Sequence, residues 1–565
     1  MTTLTERASG WFPLPVVLRE EFRGYNTGRL RADVLAGITV AAVALPLALA
    51  FGIASGATAA AGLVTAIIAG LVIGVLGGAG YQISGPTGAM SAVLIVVSAR
   101  YGLQGVFLSG LLAGIMILLL GVFDLGQIVN FIPSAVIAGF TSGIAIIIFV
   151  GQIDNLLGVH TPPAETTLLK MVELVRDPPV PDWSSVAVGG LVIVLMLLWP
   201  KRWNLRFPAS LLGLILATLV VALFNVQIPT IGSIPQTVML DDRLQLGAIP
   251  WSELPNLLAP ALSIAALGAI ESLLSGAVGA RMVGGGARMD SKMELMAQGI
   301  GNMVIPFFGG VPATAAIART SVAIKSGGRT RVVSITHALI LLLALLIAPV
   351  LSRVPMAALA GVLMVTAWRM NEWGEIREIF GLRFKSAIFA FLTTMIATIA
   401  LDLTQAIILG VGLSALIFVF QISRGTVSAR SVAPEKMQEA GYSMHGDGSQ
   451  IAVVYVVGPL FFGTAPRFEE VMGTLGGYQD IILSLRTTPL LDTTGLGLLD
   501  KLIHETEARG GRIWLAGLNE PVERYLRRAS LLDHLGADRV HWSAFEAIVA
   551  ADRLEANAAG AHEAA

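Results

Sequence analysis

The sequence up to residue 420 is dominated by long apolar stretches that alternate with short polar or charged segments. A helix needs about 20 mostly apolar residues to cross a bilayer, and only helices or closed barrels satisfy their backbone there. Hydrophobic residues make up 55% of the chain and charged residues only 13%. So many apolar side chains with so few charges predict an α-helical polytopic membrane protein, with the lipid bilayer as its partner.

The composition changes abruptly after residue 420. Residues 421–450 are polar, and the sequence that follows has the mixed pattern of a soluble α/β domain. We therefore divide the chain into a cytoplasmic N-terminal segment (1–32), a transmembrane domain (33–420), a linker (421–450), a small cytosolic α/β domain (451–554) and a tail (555–565). The tail is rich in alanine and has no apolar stripe, so we expect it to be disordered. Glutamates interrupt the N-terminal segment, which we interpret as a membrane-surface segment and not as a secretory signal.

Fourteen segments of the transmembrane domain are apolar enough to be candidate spans. They are residues 33–54, 58–76, 81–98, 102–120, 133–150, 185–199, 207–224, 260–280, 293–308, 311–325, 333–351, 356–368, 386–400 and 404–420. Lys and Arg accumulate in the connections after the sixth, eighth, tenth and twelfth spans, which share one side with the N-terminus. Because basic residues favour the cytoplasmic side, both the N-terminus and the C-terminal domain are predicted to be cytoplasmic, with the protein in the inner membrane.

The third and tenth predicted spans each contain a Gly/Pro break followed by a short helix. The third reads YQISGPTGAMSAVLIVVS, with Pro86, and the tenth reads GGVPATAAIARTSVAIKS, with Pro312. We interpret the residues before each helix as extended. Each break has the same place in one of two sets of seven spans, and since seven is odd, the second set is inverted. The two helix N-termini then face each other near the membrane midplane, where their free N–H groups favour an anion. Matched breaks of this kind are typical of a transporter site, although Gly and Pro also kink packed helices.

Two ionisable residues lie deep within predicted spans. Arg319 follows the second break by about two turns, and Glu271 lies in the middle of the eighth span. Charged groups at this depth must face protein, water or a ligand. We interpret Arg319 as fixed positive charge near an anion, with a structural ion pair as the alternative. We interpret Glu271 as a coupling group that binds a proton or a cation, with a salt bridge to Arg319 as the alternative.

Four stretches of the transmembrane domain resemble the sulfate permease (SulP) family of anion transporters. They read DVLAGITVAAVALPLALAFGIASG, ISGPTGAM, FIPSAVIAGFTSGIAIIIFVGQIDNLLG and ARTSVAIKSGGRT. The resemblance implies fourteen spans arranged as two inverted seven-span repeats. It further implies a core domain of spans one to four and eight to eleven, which moves against a gate domain of spans five to seven and twelve to fourteen.

The resemblance also implies a substrate site between the third and tenth spans. Its residues are Leu47, Phe51, Thr87, Gly88, Ala89, Ala316, Ile317, Ala318 and Arg319. Glu271 matches the acidic position of the eighth span that the family uses for cation or proton coupling. Leu47 is a departure, since many relatives have Gln there. Leucine cannot donate a hydrogen bond, which favours an organic anion over simple sulfate or chloride.

The C-terminal domain contains the segment LRTTPLLDTTGLG, residues 485–497, between a predicted strand and a predicted helix. This segment resembles the phosphorylation loop of STAS domains, which follow the membrane domain in the permease family. The resemblance makes Thr493 and Thr494 candidate regulatory residues. The alternative is that a threonine caps the helix that begins near Gly495.

These observations predict a secondary active transporter, namely a proton-coupled symporter of a dicarboxylate or sulfate-like anion that works by core-against-gate alternating access. A sodium-coupled bicarbonate symporter, an uncoupled anion channel or exchanger, and a membrane sensor are the alternatives. We expect no enzyme, cofactor or catalytic residue, since the sequence has no cysteine, metal-ligand cluster, nucleophile triad or phosphate-binding motif. With a net charge of −1 we expect no nucleic-acid partner. We also expect a homodimer.

Overall fold

The computed structural model describes residues 14–126, 133–162, 166–200, 203, 207–245, 247, 253–284, 289–401, 403–446 and 448–563. The chain forms two compact units, Met1–Ser414 and Ala415–Ala565. The first unit contains the predicted transmembrane domain up to residue 414. The second contains the last six residues of that domain together with the predicted linker, soluble domain and tail.

The first unit consists almost entirely of α-helices, the last of which continues into the second unit. They are α1 (Leu14–Glu21), α2 (Thr27–Ala54), α3 (Ala59–Leu76), α4 (Gly88–Val122), α5 (Ser134–Gly151), α6 (Ile153–Leu157), α7 (Thr167–Arg176), α8 (Trp183–Leu198), α9 (Ala209–Leu223), α10 (Leu254–Val283), α11 (Ser291–Val304), α12 (Ile317–Lys325), α13 (Val332–Ala344), α14 (Ala348–Leu351), α15 (Met356–Met370), α16 (Trp373–Gly381), α17 (Lys385–Ala400) and α18 (Leu403–Ile422). Two short strands interrupt them, β1 (Ser84–Gly85) and β2 (Thr314–Ala315). In the described part of the chain, six helices are long and apolar enough to span a membrane, and four shorter apolar helices accompany them.

The helices follow the predicted spans with two instructive differences. The predicted third and fourth spans follow each other without a connecting loop in α4, where Gly102 is non-helical, with φ at +65°, and kinks the chain between two helical segments. Glycine reaches this left-handed conformation without the steric cost of a Cβ. Helix α10 begins at Leu254 and carries Pro260 inside it, whereas the prediction placed its start at that proline. The total of fourteen spans and their inverted repeat stay predictions.

An ion pair between Arg331 and Glu21 attaches helix α1 to the rest of the unit. The Arg331 guanidinium donates to Glu21 at 2.7 and 2.9 Å, and the Arg331 backbone N–H donates to the same carboxylate at 2.7 Å. Arg331 also donates to the carbonyl of Val75, near the end of α3. The Arg331 side chain is 3% exposed and that of Glu21 is 11% exposed, so this ion pair is largely removed from water.

Replacement of Arg331 by Ala is expected to destabilise the protein by about 3 kcal/mol, because it leaves the Glu21 carboxylate buried without its counter-charge. The measurement is thermal unfolding of the purified protein in detergent. The double variant Glu21→Gln/Arg331→Ala is the control, and it should recover part of the loss. An unchanged melting temperature in Arg331→Ala would contradict a structural role of the pair.

The second unit is a five-stranded sheet with helices on both faces. The strands are β3 (Thr426–Ser431), β4 (Ile451–Val457), β5 (Asp480–Thr487), β6 (Arg512–Ala516) and β7 (Val540–His541), adjacent in that order. The helices are α19 (Pro434–Glu439), α20 (Ala465–Met472), α21 (Thr493–Ala508), α22 (Glu520–Arg528), α23 (Leu531–Leu535) and α24 (Ala544–Glu563). Strands β4 to β7 are parallel and the central ones are buried on both faces, which explains their continuous apolar sequences.

The predicted α/β pattern of this unit is confirmed, but two of its boundaries are wrong. The predicted linker 421–450 contains β3, which pairs antiparallel with β4 from Thr426 to Ser431 and is therefore part of the sheet. The predicted disordered tail 555–565 is helical as far as it is described, since α24 extends to Glu563. The first thirteen residues of the predicted N-terminal segment and the last two of the tail lie outside the described residues.

Candidate functional site

The two predicted breaks lie side by side. Strand β1 of the first break pairs antiparallel with β2 of the second, with Ser84 opposite Ala315 and Gly85 opposite Thr314. A further backbone hydrogen bond of 3.1 Å joins the Ala316 N–H to the Ile83 carbonyl. Because the strands are antiparallel, α4 and α12 leave the pair in opposite directions. The expected extended segments before the helices are confirmed. Neither proline is part of a helix, because Pro86 precedes the N-cap residue Thr87 and Pro312 precedes β2.

Helix α10 holds the strand pair through Ser272 and through the Gly268 carbonyl, which accepts a 3.2 Å hydrogen bond from the Thr314 hydroxyl. The Ser272 hydroxyl is 2.9 Å from the Thr314 hydroxyl and accepts a 3.3 Å hydrogen bond from the Ala315 N–H. The Ser272 carbonyl accepts a 2.8 Å hydrogen bond from the Gln82 side chain. Ser272 follows Glu271 directly, so these bonds place the predicted coupling residue beside the strand pair.

Helix α11 holds both breaks from the other side. The Gln298 amide donates to the Ser84 hydroxyl at 2.9 Å. The Asn302 side chain both donates to the Ala313 carbonyl, at 2.8 Å, and accepts from the Ala313 N–H, at 2.7 Å. Asn302 thus pairs with Ala313 as a neighbouring strand would. Sequence reasoning missed these two residues, although polar side chains spaced four apart in a buried helix were a usable signal.

The N-terminus of α4 is closed by a threonine that also contacts the coupling carboxylate. Thr87 is the N-cap residue, and its hydroxyl oxygen accepts a 3.4 Å hydrogen bond from the Met90 N–H. The same hydroxyl donates to Glu271 Oε2 at 3.1 Å. Thr87, Gly88 and Ala89 are all buried, whereas Glu271 is partly exposed. The structure therefore brings the predicted coupling residue and the predicted site residues of α4 into direct contact.

The N-terminus of α12 is arranged differently. Its N-cap residue is Ala316, which has no side chain that could accept a hydrogen bond, and the side chains of Ile317 and Ala318 are exposed. The first N–H groups of α12 therefore lack the side-chain cap that Thr87 gives to α4. An uncapped helix N-terminus carries positive potential and free donors, which suit an anion.

The Arg319 side chain is buried beneath the breaks. It is 2% exposed, and its Nη2 donates to the Pro86 carbonyl at 3.0 Å. Its Nη1 lies close to Gly85 and has no hydrogen-bond partner among the described residues. Within this part of the chain Arg319 forms no salt bridge with Glu271, so the structure does not favour the ion pair that the sequence left open. The guanidinium instead links α12 to the segment that leads into α4.

The predicted residues of the first span lie on α2. Phe51 is 6% exposed and its ring contacts Gly88, where an added Cβ would lie 3.1 Å from Phe51 Cε1. Leu47 lies one turn before Phe51 and is partly buried. The structure thus brings Phe51 to the N-terminus of α4 and places Leu47 one helical turn away from that contact.

Sequence reasoning missed one apolar residue at this site, Ile148 of α5. An added Cβ at Gly88 would lie 2.5 Å from Ile148 Cδ1, closer than real Cβ contacts. Ile148 is 5% exposed. Nothing in the sequence distinguishes it from the other isoleucines of an apolar helix. The N-terminus of α4 is therefore enclosed by Phe51 and Ile148 on its apolar side and by Thr87 and Glu271 on its polar side.

In the second unit, the predicted regulatory threonines are exposed in the first turn of α21. Asp492 is the N-cap residue of this helix and accepts hydrogen bonds from the Gly495 N–H, at 2.7 Å, and the Phe462 N–H, at 3.1 Å. The alternative that a threonine caps the helix is wrong, because the aspartate at the N-cap position already fills this role. Thr493 and Thr494 stay candidate regulatory residues.

The arrangement fits a transport site. Nowhere in the described ranges do three or more His, Asp or Glu side chains cluster in a way that could hold a metal ion. The paired interrupted helices instead provide backbone donors, one capped and one open, together with a carboxylate and a buried guanidinium. A helical membrane domain built on such a pair and followed by a STAS-type sheet defines a class of membrane transporters.

Comparison with known proteins agrees with this class. The profile of the sulfate permease family matches residues 30–416, and that of the STAS domain matches residues 447–544. The chain therefore belongs to the sulfate permease family. Since the family consists of transporters, the protein is a membrane anion transporter and not an enzyme.

Individual relatives cover almost the whole chain. A putative sulfate transporter of Bacillus subtilis, YvdB, is 36% identical over 530 residues, which are 91% of this chain and 96% of that protein. The structure of the murine Slc26a9 anion transporter in its inward-facing state has a TM-score of 0.83 at 17% identity and covers 97% of this chain and 95% of that one. The transmembrane domain of a cyanobacterial bicarbonate transporter, BicA, has a TM-score of 0.61 at 30% identity and covers 70% of this chain and 98% of that one.

Bulky side chains at the helix N-termini are expected to block the site. Tryptophan at Gly88 would collide with Phe51 and Ile148. Tryptophan at Ala316, the N-cap position of α12, would cover the first N–H groups of that helix. Either change is expected to lower anion uptake by more than about tenfold, the first because packed surroundings leave no room for the added ring and the second because the ring would keep the anion from these donors. Uptake into proteoliposomes is the measurement.

The matched control for this prediction is Gly190→Trp on α8, because an added Cβ at Gly190 meets nothing within 4 Å. This variant should transport normally. Full activity with tryptophan at both Gly88 and Ala316 would show that the anion binds elsewhere.

Proposed function

We propose that the protein is a secondary active transporter that carries a dicarboxylate or a sulfate-like anion together with a proton. The observation that carries the proposal is the 3.1 Å hydrogen bond between the Thr87 hydroxyl and Glu271. It supports the proposal because it holds a group able to carry a proton against the first turn of one of the two interrupted helices, where we expect the anion to bind.

Three features attract an anion to this site. The α12 N-terminus has no side-chain cap, the α4 N-terminus lies beside it, and Arg319 adds a full positive charge close to both. Helix N-termini bind anions through backbone N–H groups and the helix dipole. Because Phe51 and Ile148 enclose the α4 terminus, the part of the substrate that faces them is apolar. This supports an anion with a carbon skeleton, in agreement with leucine at position 47.

Glu271 couples the anion to a proton because the bound proton neutralises the carboxylate. Its carboxylate lies beside the α4 N-terminus and accepts the hydrogen bond from the Thr87 hydroxyl. A proton bound there cancels the negative charge that the carboxylate would otherwise place beside the anion. The proton also offsets the cost of moving an anion inward against the membrane potential, about 2.3 kcal/mol per charge per 100 mV.

A sodium-coupled bicarbonate symporter is the second candidate, supported by the 30% identity to the transmembrane domain of a protein described as a bicarbonate transporter. A carboxylate also binds sodium, so Glu271 would serve there as a cation ligand. We favour the proton because Glu271 has one hydroxyl as its hydrogen-bond partner among the described residues, and sodium requires several oxygen ligands.

We propose that the protein lies in the cell inner membrane, with its N-terminus and its STAS domain in the cytoplasm. The accumulation of Lys and Arg on that side supports this orientation. We further propose a homodimer that works by movement of the core against the gate.

Uptake of labelled anions into proteoliposomes tests the substrate. Sulfate, succinate, bicarbonate and chloride are offered under inward proton or sodium gradients, with protein-free liposomes as the control. We expect succinate or sulfate to enter faster with the proton gradient. Uptake of bicarbonate alone, driven by sodium, would favour the second candidate, and passive flux without accumulation would favour a channel.

Removal of the second unit is expected to change the rate or the stability and not the substrate. Because β3 begins at Thr426, truncation after Arg424 removes the sheet without leaving an unpaired strand. The truncated protein should transport a few-fold more slowly or melt at a lower temperature, with the same order of preference among competing anions. A changed order of preference would show that the STAS domain contributes to substrate selection. Replacement of Thr493 and Thr494 by Glu in the full chain tests their regulatory role in the same assay.

A further inference from the structure

Ile148 of α5 contacts Gly88 at the N-terminus of α4, where we expect the substrate to bind. The contact is between a side chain and a backbone, since Gly88 is the first residue of α4 and has no side chain of its own. Any Cβ at position 88 would lie only 2.5 Å from Ile148 Cδ1 and 3.1 Å from Phe51 Cε1. Both apolar side chains therefore pack against Gly88 at the α4 N-terminus, and they belong to two different helices.

The two side chains differ in what holds them. The backbone carbonyl of Phe51 accepts a 3.1 Å hydrogen bond from the Ser91 hydroxyl of α4, and the Ser55 hydroxyl donates to that of Ser91 at 3.0 Å. These two bonds fix α2 to α4. Ile148 contacts Gly88 by packing alone and belongs to a different helix, α5. In the proposed transport cycle α5 lies in the gate and α4 in the core. In this cycle the Ile148 side chain moves relative to the α4 N-terminus, whereas the Phe51 side chain moves together with that N-terminus.

We propose that Ile148 determines substrate size: its side chain limits the length of the carbon skeleton that fits between the α4 N-terminus and the gate. This inference rests on the proposed function and adds the residue that selects among organic anions. An apolar pocket discriminates one methylene by roughly 10- to 200-fold. Shortening Ile148 should therefore shift the preference towards longer dicarboxylates, and lengthening it should shift the preference towards shorter ones.

The experiment compares proteoliposome uptake of labelled malonate, succinate and glutarate, with sulfate as the reference anion, in wild type, Ile148→Ala and Ile148→Phe. We expect the glutarate-to-malonate uptake ratio to rise about tenfold in Ile148→Ala and to fall in Ile148→Phe. The matched control is Ile144→Ala, an equally buried isoleucine one turn away on α5, which should leave the ratio unchanged. An unchanged ratio in Ile148→Ala with normal sulfate uptake would overturn the inference and leave the proposed function intact.

Ile148→Val is a second variant that keeps the inference testable if Ile148→Ala does not fold. It removes one methyl group and should shift the ratio in the same direction by a smaller factor. If wild type moves none of the four anions, the proposed function fails, and the inference fails with it.

Thiol labelling gives a second and independent measurement, because the natural chain contains no cysteine. Alkylation of Ile148→Cys by a maleimide should slow in the presence of the transported dicarboxylate. Phe149→Cys, on the 45% exposed neighbouring position, should react at the same rate with and without it. Equal rates with and without the dicarboxylate at position 148 would show that Ile148 does not contact the substrate path.

Discussion

Glu271→Gln is expected to abolish accumulation of the anion under a pH gradient while anion exchange continues. Glutamine keeps an oxygen that accepts the hydrogen bond from Thr87, so the site stays assembled, but it cannot gain or lose a proton. A gradient of one pH unit is worth about 1.4 kcal/mol, which is a tenfold accumulation for one proton per anion. The variant should fall to an accumulation ratio of about one in proteoliposomes, and its exchange of labelled for unlabelled anion should stay within a few-fold of wild type.

The matched control for Glu271→Gln is Glu253→Gln, at the N-cap position of the same helix, where the carboxylate accepts a hydrogen bond from the exposed Asn256. It should accumulate the anion as wild type does. If Glu271→Gln still accumulates the anion on a pH gradient, the coupling residue is not Glu271.

Arg319→Ala is expected to weaken anion uptake by roughly 30-fold at low substrate concentration. A buried unit charge near an anion contributes on the order of 2 kcal/mol at the effective dielectric constant of about 20 that describes protein sites. The variant also loses the hydrogen bond to the Pro86 carbonyl, which links the two interrupted helices. The concentration dependence of uptake is the measurement, and the loss should appear mainly as a raised KM.

Two further variants separate the effect of the Arg319 charge on anion uptake from a structural effect of the substitution. Arg319→Lys keeps the charge and should recover most of the affinity, whereas Lys325→Ala removes an exposed charge from the last turn of α12 and should have little effect. Normal affinity and rate in Arg319→Ala, with an unchanged melting temperature, would exclude Arg319 from the site.

The main features of the membrane unit could be predicted from the sequence because lipid imposes a simple rule. Spans must be long and apolar, so the helices are visible as hydropathy, and a Gly/Pro break within such a span is conspicuous. The pairing of β1 with β2 could not be predicted, because strands of two residues have no periodicity. The same limit applies to Ile148, since every residue of an apolar helix looks alike until its neighbours are known.

In the soluble unit the buried parallel strands were predictable and the edge strand was not. Strand β3 reads TVSARS, and it pairs along one side only, so its polar residues resemble those of a linker. The cap of α21 was misassigned because Asp492 and Thr493 are both good N-cap residues, and only the helix start decides between them. Gln298 and Asn302 are polar side chains four residues apart in a buried helix, which was a usable signal. Their partners, the Ser84 hydroxyl and the Ala313 backbone, could not be predicted, because these contacts leave no local pattern.

The steady-state accumulation ratio of the preferred labelled anion tests the central claim most directly. Proteoliposomes receive an inward gradient of one pH unit without sodium, with the membrane potential held at zero, and a second set receives a sodium gradient at equal pH. Coupling through Glu271 predicts a ratio well above one in the first set, about one in the second, and about one in both for Glu271→Gln. Accumulation driven by sodium alone, or no accumulation in either set, would contradict proton-coupled transport.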